Sequence, residues 1–281
     1  MIIPKKIVFD YCGMLNDHAR NAWFKKHIQK IIQNKTFVDV GAGTGILSAY
    51  ALEAGAKSGY AIEISNEAAI VGKHLTHAMG YEDKVIWLNL DFKNANTDQV
   101  DVVLAEQTGP ALFDQQQIDI WQYYNKRYNY DYISLPDELA VDLYIYKGDV
   151  RKQIDSAIHK DDVLPSGFYK ALEKLSIGPD QIVENFISIT STSADRCSIE
   201  NSISLTNYTD ATVVFVNKIG FRNDYLYLNR SATQNWKFAP RLFVPDCSLP
   251  VRIFWNPTLS NTEAPADNLY QGYWDFEPIP K

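Results

Sequence analysis

Three glycines at alternate positions, Gly41, Gly43 and Gly45, lie inside the stretch "FVDVGAGTGILS" with an apolar run on each side. Glycine permits a tight turn and lets a ligand approach the backbone closely. The spacing is G-x-G-x-G, and Ile46 stands where G-x-G-x-x-G would carry its last glycine. The next apolar run ends in Glu63, eighteen residues past Gly45, where a carboxylate accepts hydrogen bonds from both hydroxyls of a ribose. A third run ends in Leu90 and Asp91, where an acid can accept from an adenine amino group. A glycine turn followed by these two acids calls for a ligand that contains an adenosine. A nicotinamide cofactor and S-adenosylmethionine both meet that description.

Such a turn works only at the carboxyl end of a parallel sheet, and the surrounding pattern supplies one. Apolar residues at helical spacing predict a helix from Met14 to Ile32. Strands then alternate with helices: "TFVDV", "ILSAYALEAGA", "SGYAIEIS", "NEAAIVGKHLTHAMG", "KVIWLNLD" and "VDVVLAEQ". This alternation predicts an α/β domain with a parallel sheet covered on both faces. The pattern changes near Ser134. Beyond it, "LAVDLYIYKGD", "ENFISITSTS", "SIENSISLTN", "ATVVFVNKIGF", "NDYLYLN", "PRLFVP" and "PVRIFWNP" read as short strands between turn residues, a small sandwich or barrel. Two domains are expected, 1–134 and 135–281, with a charged and helical segment at about 150–175 in the second. The tail from Ser260 onward shows no clear period.

The 281 residues are nearly half hydrophobic, enough to bury a core. A net charge of -7 argues against a dedicated nucleic-acid binder and suits a basic substrate. Three scattered cysteines, Cys12, Cys197 and Cys247, make neither a disulfide framework nor a Cys-rich metal site. No apolar signal segment and no run long enough to span a bilayer is visible, so a soluble cytoplasmic protein is expected. His74 and His77 lie three apart on one helix without a third ligand, so no metal is expected. His18 and His27 read as helix-surface residues, and the aromatic run "WQYYNKRYNYDY" as packing under the second domain.

A helix ahead of the first strand distinguishes the two cofactor readings, because a dinucleotide fold usually starts with the strand. That helix carries "YCGMLNDHARNAWF", which resembles the opening motif of the protein arginine methyltransferases at Tyr11, Met14, Leu15, Asp17 and Arg20, with Phe24 in place of a final tyrosine. "VDVGAGTGILSAYALEAGAKSGYAIE" is similar to the cofactor motifs of the same family almost without interruption. "VDVVLAEQTG" resembles the start of its double-glutamate loop, "SLPDELAVDLYIY" the first stretch of its barrel domain, and "TQNWKFAPRLFVP" its Thr-His-Trp loop. The resemblance implies a class I methyltransferase fold, a parallel sheet followed by a mainly antiparallel, barrel-like domain, with S-adenosylmethionine as cofactor.

The roles implied by the resemblance fall on particular residues. Arg20 would pair with the cofactor carboxylate, which suits a planar, always charged fork. Met14 would lie near the sulfonium, Glu63 on the ribose, and Leu90 and Asp91 at the adenine. Asp39 would orient the glycine turn or the cofactor amino group, or serve as a structural acid. Glu106 would bind and polarise a guanidinium beside the cofactor. The family pairs that glutamate with a second one nine residues on, and Gln115 stands there. The Thr-His-Trp loop, aligned on Trp236, carries Gln234 and Asn235 in its first two positions, and an asparagine cannot titrate. Methyl transfer to a guanidino nitrogen of peptidyl or free arginine is therefore expected from one carboxylate and one amide. The alternatives are another nitrogen or oxygen acceptor, or a catalytically weak regulator that binds S-adenosylmethionine. The 150–175 segment falls where the family has its dimerisation arm, which implies a homodimer.

Overall fold

The computed structural model describes residues 11, 14–108, 116–147, 182–192, 200–203, 211–228, 241–244, 251–257 and 272–278. Helix α1, His18–Ile31, begins where the Asp17 side chain accepts a hydrogen bond from the Arg20 amide at 2.9 Å. This N-cap gives the free donors of the first turn an acceptor. The regular helix thus starts at His18, four residues later than the sequence predicts, because Asp17 interrupts it. It stops ahead of Asn34, whose φ of 58° no helix continues.

Strand β1 (Thr36–Val40), helix α2 (Ile46–Glu53), β2 (Ser58–Ile62), α3 (Asn66–Ala78), β3 (Val85–Leu88), a 3-10 turn (Phe92–Asn94), β4 (Val102–Ala105), helix α4 (Gln117–Tyr128) and β5 (Ile133–Leu135) follow in order. The five strands make one parallel sheet in the order β3-β2-β1-β4-β5. The chain runs outward from β1 through β2 to β3, then returns to place β4 on the other side of β1. Ligands of open α/β sheets bind at such a reversal. Register does the rest. Val40 pairs with Ile62 and with Ala105, and Ile62 with Leu88. The residues that follow these ends, Gly41, Glu63, Glu106 and Asn89, therefore leave the sheet at one level.

Helix α4 contains the aromatic run as far as Tyr128, and the structure corrects its expected place. Ile120, Tyr124 and Tyr128 are buried against Val38, Val40, Ile62, Phe92 and Val103 in the core of the parallel sheet. The Trp121 indole donates to Ser134 Oγ at 2.8 Å, and the Tyr128 hydroxyl to the carbonyl of Asp98 at 2.9 Å. Burial pushes the Tyr124 and Tyr132 phenols up. Aromatic residues at helical spacing cannot name the surface they cover, and here it is the sheet beside β4.

Strands β6 (Glu138–Lys147), β7 (Ile182–Thr192), β8 (Glu200–Ile203), β9 (Ala211–Phe221), β10 (Asp224–Tyr227), β11 (Arg241–Val244), β12 (Val251–Pro257) and β13 (Gly272–Pro278) form the rest of the described chain. One sheet has the order β10-β9-β6-β7 with β11 on β9, and another the order β13-β12-β8. The β6/β7, β11/β9, β12/β13 and β12/β8 pairs are antiparallel. The α/β class, with a parallel sheet followed by antiparallel strands, is as expected. Strands β5 and β13 were not foreseen, and the 150–175 segment lies outside the described residues. Two compact units result. The first is Met1–Gln107 with Gln117–Asp137 and Gly220–Leu226; the second is Thr108–Gln116 with Glu138–Ile219 and Tyr227–Lys281.

Within the first unit, His27 is buried rather than on the helix surface. Its ring meets Trp23 and Phe221 edge-on, and its Nε2 lies 2.9 Å from Asp224 Oδ2. Lys26 binds the same carboxylate oxygen. Burial lowers the His27 pKa, and Asp224 offsets this in part. A lowered folded pKa means that the unfolded chain takes up the proton first. The contribution is present above the ordinary 6.5 and is lost as pH falls through the folded value. The thermal midpoint should therefore fall below about pH 6.5, and His27→Phe, which keeps the ring contacts, should flatten that acid limb. Parallel acid limbs for wild type and variant, measured by circular dichroism melts, would show that His27 does not set it.

Candidate active site

At the carboxyl edge of the parallel sheet a cleft is lined by Tyr11, Met14, Leu15, Arg20, Asp39, Gly41, Ala42, Gly43, Thr44, Ile46, Leu47 and Glu106. All of these residues belong to the first unit. The turn that forms its floor needs its glycines. Gly43 has φ 56°, and a Cβ there would stand 2.6 Å from the Tyr11 ring. At Gly45, φ 80°, it would stand 2.9 Å from the Trp87 ring.

Two acids hold this turn. Glu63 is buried, and one of its oxygens accepts from the Gly43 amide at 2.8 Å while the other accepts from Ser65 at 2.8 Å. Each carboxylate oxygen has a second lone pair, so the group is anchored and still able to accept from a diol. Asp39 accepts from the amide and the hydroxyl of Ser48, at 2.9 and 2.7 Å. Ser48 is the third residue of α2, and the N-cap of that helix is Gly45, which has no side chain to offer. Asp39 thus caps α2 from the end of β1 and places a negative charge at the helix N-terminus. The expected alternatives for Asp39 were orienting the turn, orienting the cofactor amino group or a structural role, and its hydrogen bonds in the structure are to Ser48.

Arg20 is buried and donates from Nε (3.2 Å) and Nη2 (2.6 Å) to one oxygen of Glu106. Its Nη1 donates to Asn21, whose own amide donates to the carbonyls of Met14 and Leu15 at 3.2 and 2.9 Å. Arg20 and Asn21 together bring the Met14 segment to the rim of the cleft. The two residues expected to serve cofactor and acceptor therefore touch each other, and the sequence contained no sign of that pairing.

Asp91 and Leu90 lie apart from the cleft lining. Asp91 caps the 3-10 turn by accepting from the Lys93 amide at 2.9 Å. Leu90 packs on the core cluster of the sheet. Gln115, Asn235 and Trp236 lie outside the described residues. Three neighbours of the expected residues were not singled out in the sequence. Ile64, beside Glu63, is 71% exposed, an unusual state for an isoleucine. Asn89 donates to the carbonyls of Glu63 and Ile64 at 2.8 and 3.1 Å. Gln107 donates from its side chain to the carbonyl of Gly41 at 3.3 Å. Sequence position next to Glu63 and Glu106 was the available signal for two of them. Among the described residues no three His, Cys, Asp or Glu side chains gather as a metal site, and no helix is long and apolar enough to cross a membrane. The His74 ring bonds to the carbonyl of Ile70, and His77 pairs with Glu82 at 3.7 Å.

Burial pushes the Asp39 carboxyl up to about 6, against the pull of its Ser48 hydrogen bonds. A raised folded pKa contributes stability that is full below the ordinary value of 3.8 and is lost as pH rises through about 6. Wild type should thus lose stability relative to Asp39→Asn between about pH 4 and pH 6. Denaturant midpoints of the pair measured across that range would check this. A constant difference would mean that Asp39 does not titrate there.

Residues 23–110 match the family described as ribosomal protein L11 methyltransferase (PrmA). The chain is 40% identical over 103 residues to a probable protein arginine N-methyltransferase 6 of Arabidopsis thaliana, covering 35% of this chain and 23% of that protein. It is 32% identical over 155 residues to a probable protein arginine N-methyltransferase 1.2 of the same plant, covering 53% of this chain and 40% of the other. The chain thus spans less than half the length of these relatives. Among solved structures, that of PRMT6-SAH superposes with a TM-score of 0.69 at 18% identity, over 96% of this chain and 100% of that one. The Trypanosoma brucei PRMT1 enzyme-prozyme heterotetrameric complex with AdoHcy gives 0.65 at 15% identity, over 97% and 98%. The fold is that of a class I methyltransferase built like the protein arginine methyltransferases.

Proposed function

We propose that this chain is an S-adenosylmethionine-dependent N-methyltransferase acting on a guanidino nitrogen of arginine in a protein. The observation that carries this reading is the meeting of Arg20 and Glu106 in a cleft floored by the Gly41–Gly45 turn. A fixed cation, an anchored diol acceptor at Glu63 and a glycine floor fit the carboxylate, ribose and close-lying chain of such a cofactor. Bound there, it would supply a methyl group on a sulfonium, a strong leaving group.

The protein's part is then mainly position. Arg20 holds a carboxylate, Glu63 a ribose, and Met14 borders the cleft from the N-terminal side. Glu106 orients the acceptor. Methyl transfer would require the acceptor nitrogen to shed a proton, and Glu106 would stand beside it. A carboxylate at Glu106 favours the positive charge that accumulates on the guanidinium. Gln115 offers an amide in place of the second carboxylate, which favours slower transfer and keeps the reading of a weak or regulatory S-adenosylmethionine binder in play. A barrel-like second domain and a homodimer belong to the same proposal.

Glu106→Gln keeps the shape of the side chain and removes its charge. It should lower kcat/KM about ten- to a hundredfold, the worth of one charged hydrogen bond. Gln115→Glu should raise activity on an arginine-rich histone peptide. Tritiated-methyl transfer followed by amino-acid analysis of the product checks both. Wild-type rates for Glu106→Gln would remove that residue from the chemistry, and label on any residue other than arginine would replace the acceptor.

A further inference from the structure

Glu106 directly follows β4, and what aims it is not its own strand alone. The next residue, Gln107, has its amide, its carbonyl and its side-chain NH2 engaged within the first unit. Its amide donates to the side-chain Oε1 of Gln117 at 3.1 Å. Its carbonyl accepts from the Gln117 amide at 3.2 Å. Its side-chain amide donates to the carbonyl of Gly41 at 3.3 Å and lies over Gly41 where a Cβ would stand. Gln117 opens helix α4 and is 1% exposed.

A reciprocal pair between residues ten apart closes the loop at its base. The side-chain bond then ties that base to the glycine turn. Glu106 lies between these ties and the end of β4. Gln117 makes this closure at a cost. Its Nε2 is buried and has no hydrogen-bond partner. A leucine or methionine would fill the same space without a buried, unpaired donor, which is the more expensive arrangement. What only glutamine or glutamate provides at that length is the acceptor oxygen for Gln107.

We propose that Gln117 is a positioning residue for Glu106: through Gln107 it locks the base of the acceptor loop to the Gly41 turn, so that cofactor and acceptor sites keep one spacing. The inference rests on the function proposed above, and it extends that reading to a residue that touches neither ligand.

Gln117→Met keeps length and apolar contacts and deletes the acceptor; Gln117→Glu restores it. Amide exchange at Gln107, read by NMR, should quicken at least about tenfold in Gln117→Met and return towards wild type in Gln117→Glu. Exchange in β1–β3 and the affinity for S-adenosylhomocysteine should stay within about twofold of wild type. On an arginine-rich histone peptide kcat should drop at least about tenfold in Gln117→Met with the KM for S-adenosylmethionine unchanged, and recover in Gln117→Glu. A merely structural role would lower melting point, cofactor affinity and kcat together, and that pattern overturns the proposal. Unchanged Gln107 exchange, or faster exchange with wild-type kcat, also overturns it. Absence of methyl transfer by the wild type would strike the proposed function instead, and the exchange data would still decide whether the lock exists. If Gln117→Met does not fold, the wild type alone suffices. Saturating S-adenosylhomocysteine should slow Gln107 exchange at least about threefold, and no slowing means that turn and loop are not locked.

Discussion

A buried cation and a buried carboxylate hold the candidate site together. Arg20 and Glu106 are both nearly inaccessible, and each would be costly to bury alone. Their pairing holds the first turn of α1 at the end of β4. Through Asn21 it also fixes the Met14 segment. The pair need not add stability over apolar residues of the same size, since the desolvation of both charges offsets much of their attraction. What it does secure is placement: a guanidinium fork and a carboxylate a hydrogen bond apart, beside a turn built for close approach.

The rest of the site follows from sheet register and from caps supplied at a distance. Parallel pairing levels the ends of β1, β2, β3 and β4, so residues far apart in sequence emerge side by side. The three glycines of the turn have no side chains with which to fix it. Glu63 and Asp39 fix it from neighbouring strand ends by accepting its amides and those of α2. Gln107 fastens it from the β4 side. A turn open to a ligand is thus braced from below by groups that still have free acceptor capacity.

Much of this was legible in the residues. Alternation of apolar runs gave the parallel sheet, and the glycine spacing with Glu63 gave the turn and its acid. What was not legible depends on contacts between distant residues. His27 looks like a surface histidine because Lys25, Lys26, Gln29 and Lys30 surround it in sequence, but Phe221 and Asp224 cover it. The tyrosines of α4 have helical spacing and no label for the surface they meet. Strand β5 has three residues next to a proline, too few to show a period, and β13 lies in a tail whose Tyr273, Trp274 and Phe276 do not alternate cleanly until paired with β12. The Arg20–Glu106 contact spans 86 positions and could be read only once the register was known.

The central claim is that one cleft holds an adenosyl cofactor between Arg20 and Glu63. A crystal structure of the protein with S-adenosylhomocysteine tests it most directly. The account predicts the ligand carboxylate on the Arg20 guanidinium, the ribose hydroxyls on Glu63 and the sulfur facing Glu106. A ligand bound elsewhere, or one in this cleft with its carboxylate away from Arg20 and its ribose off Glu63, would contradict it.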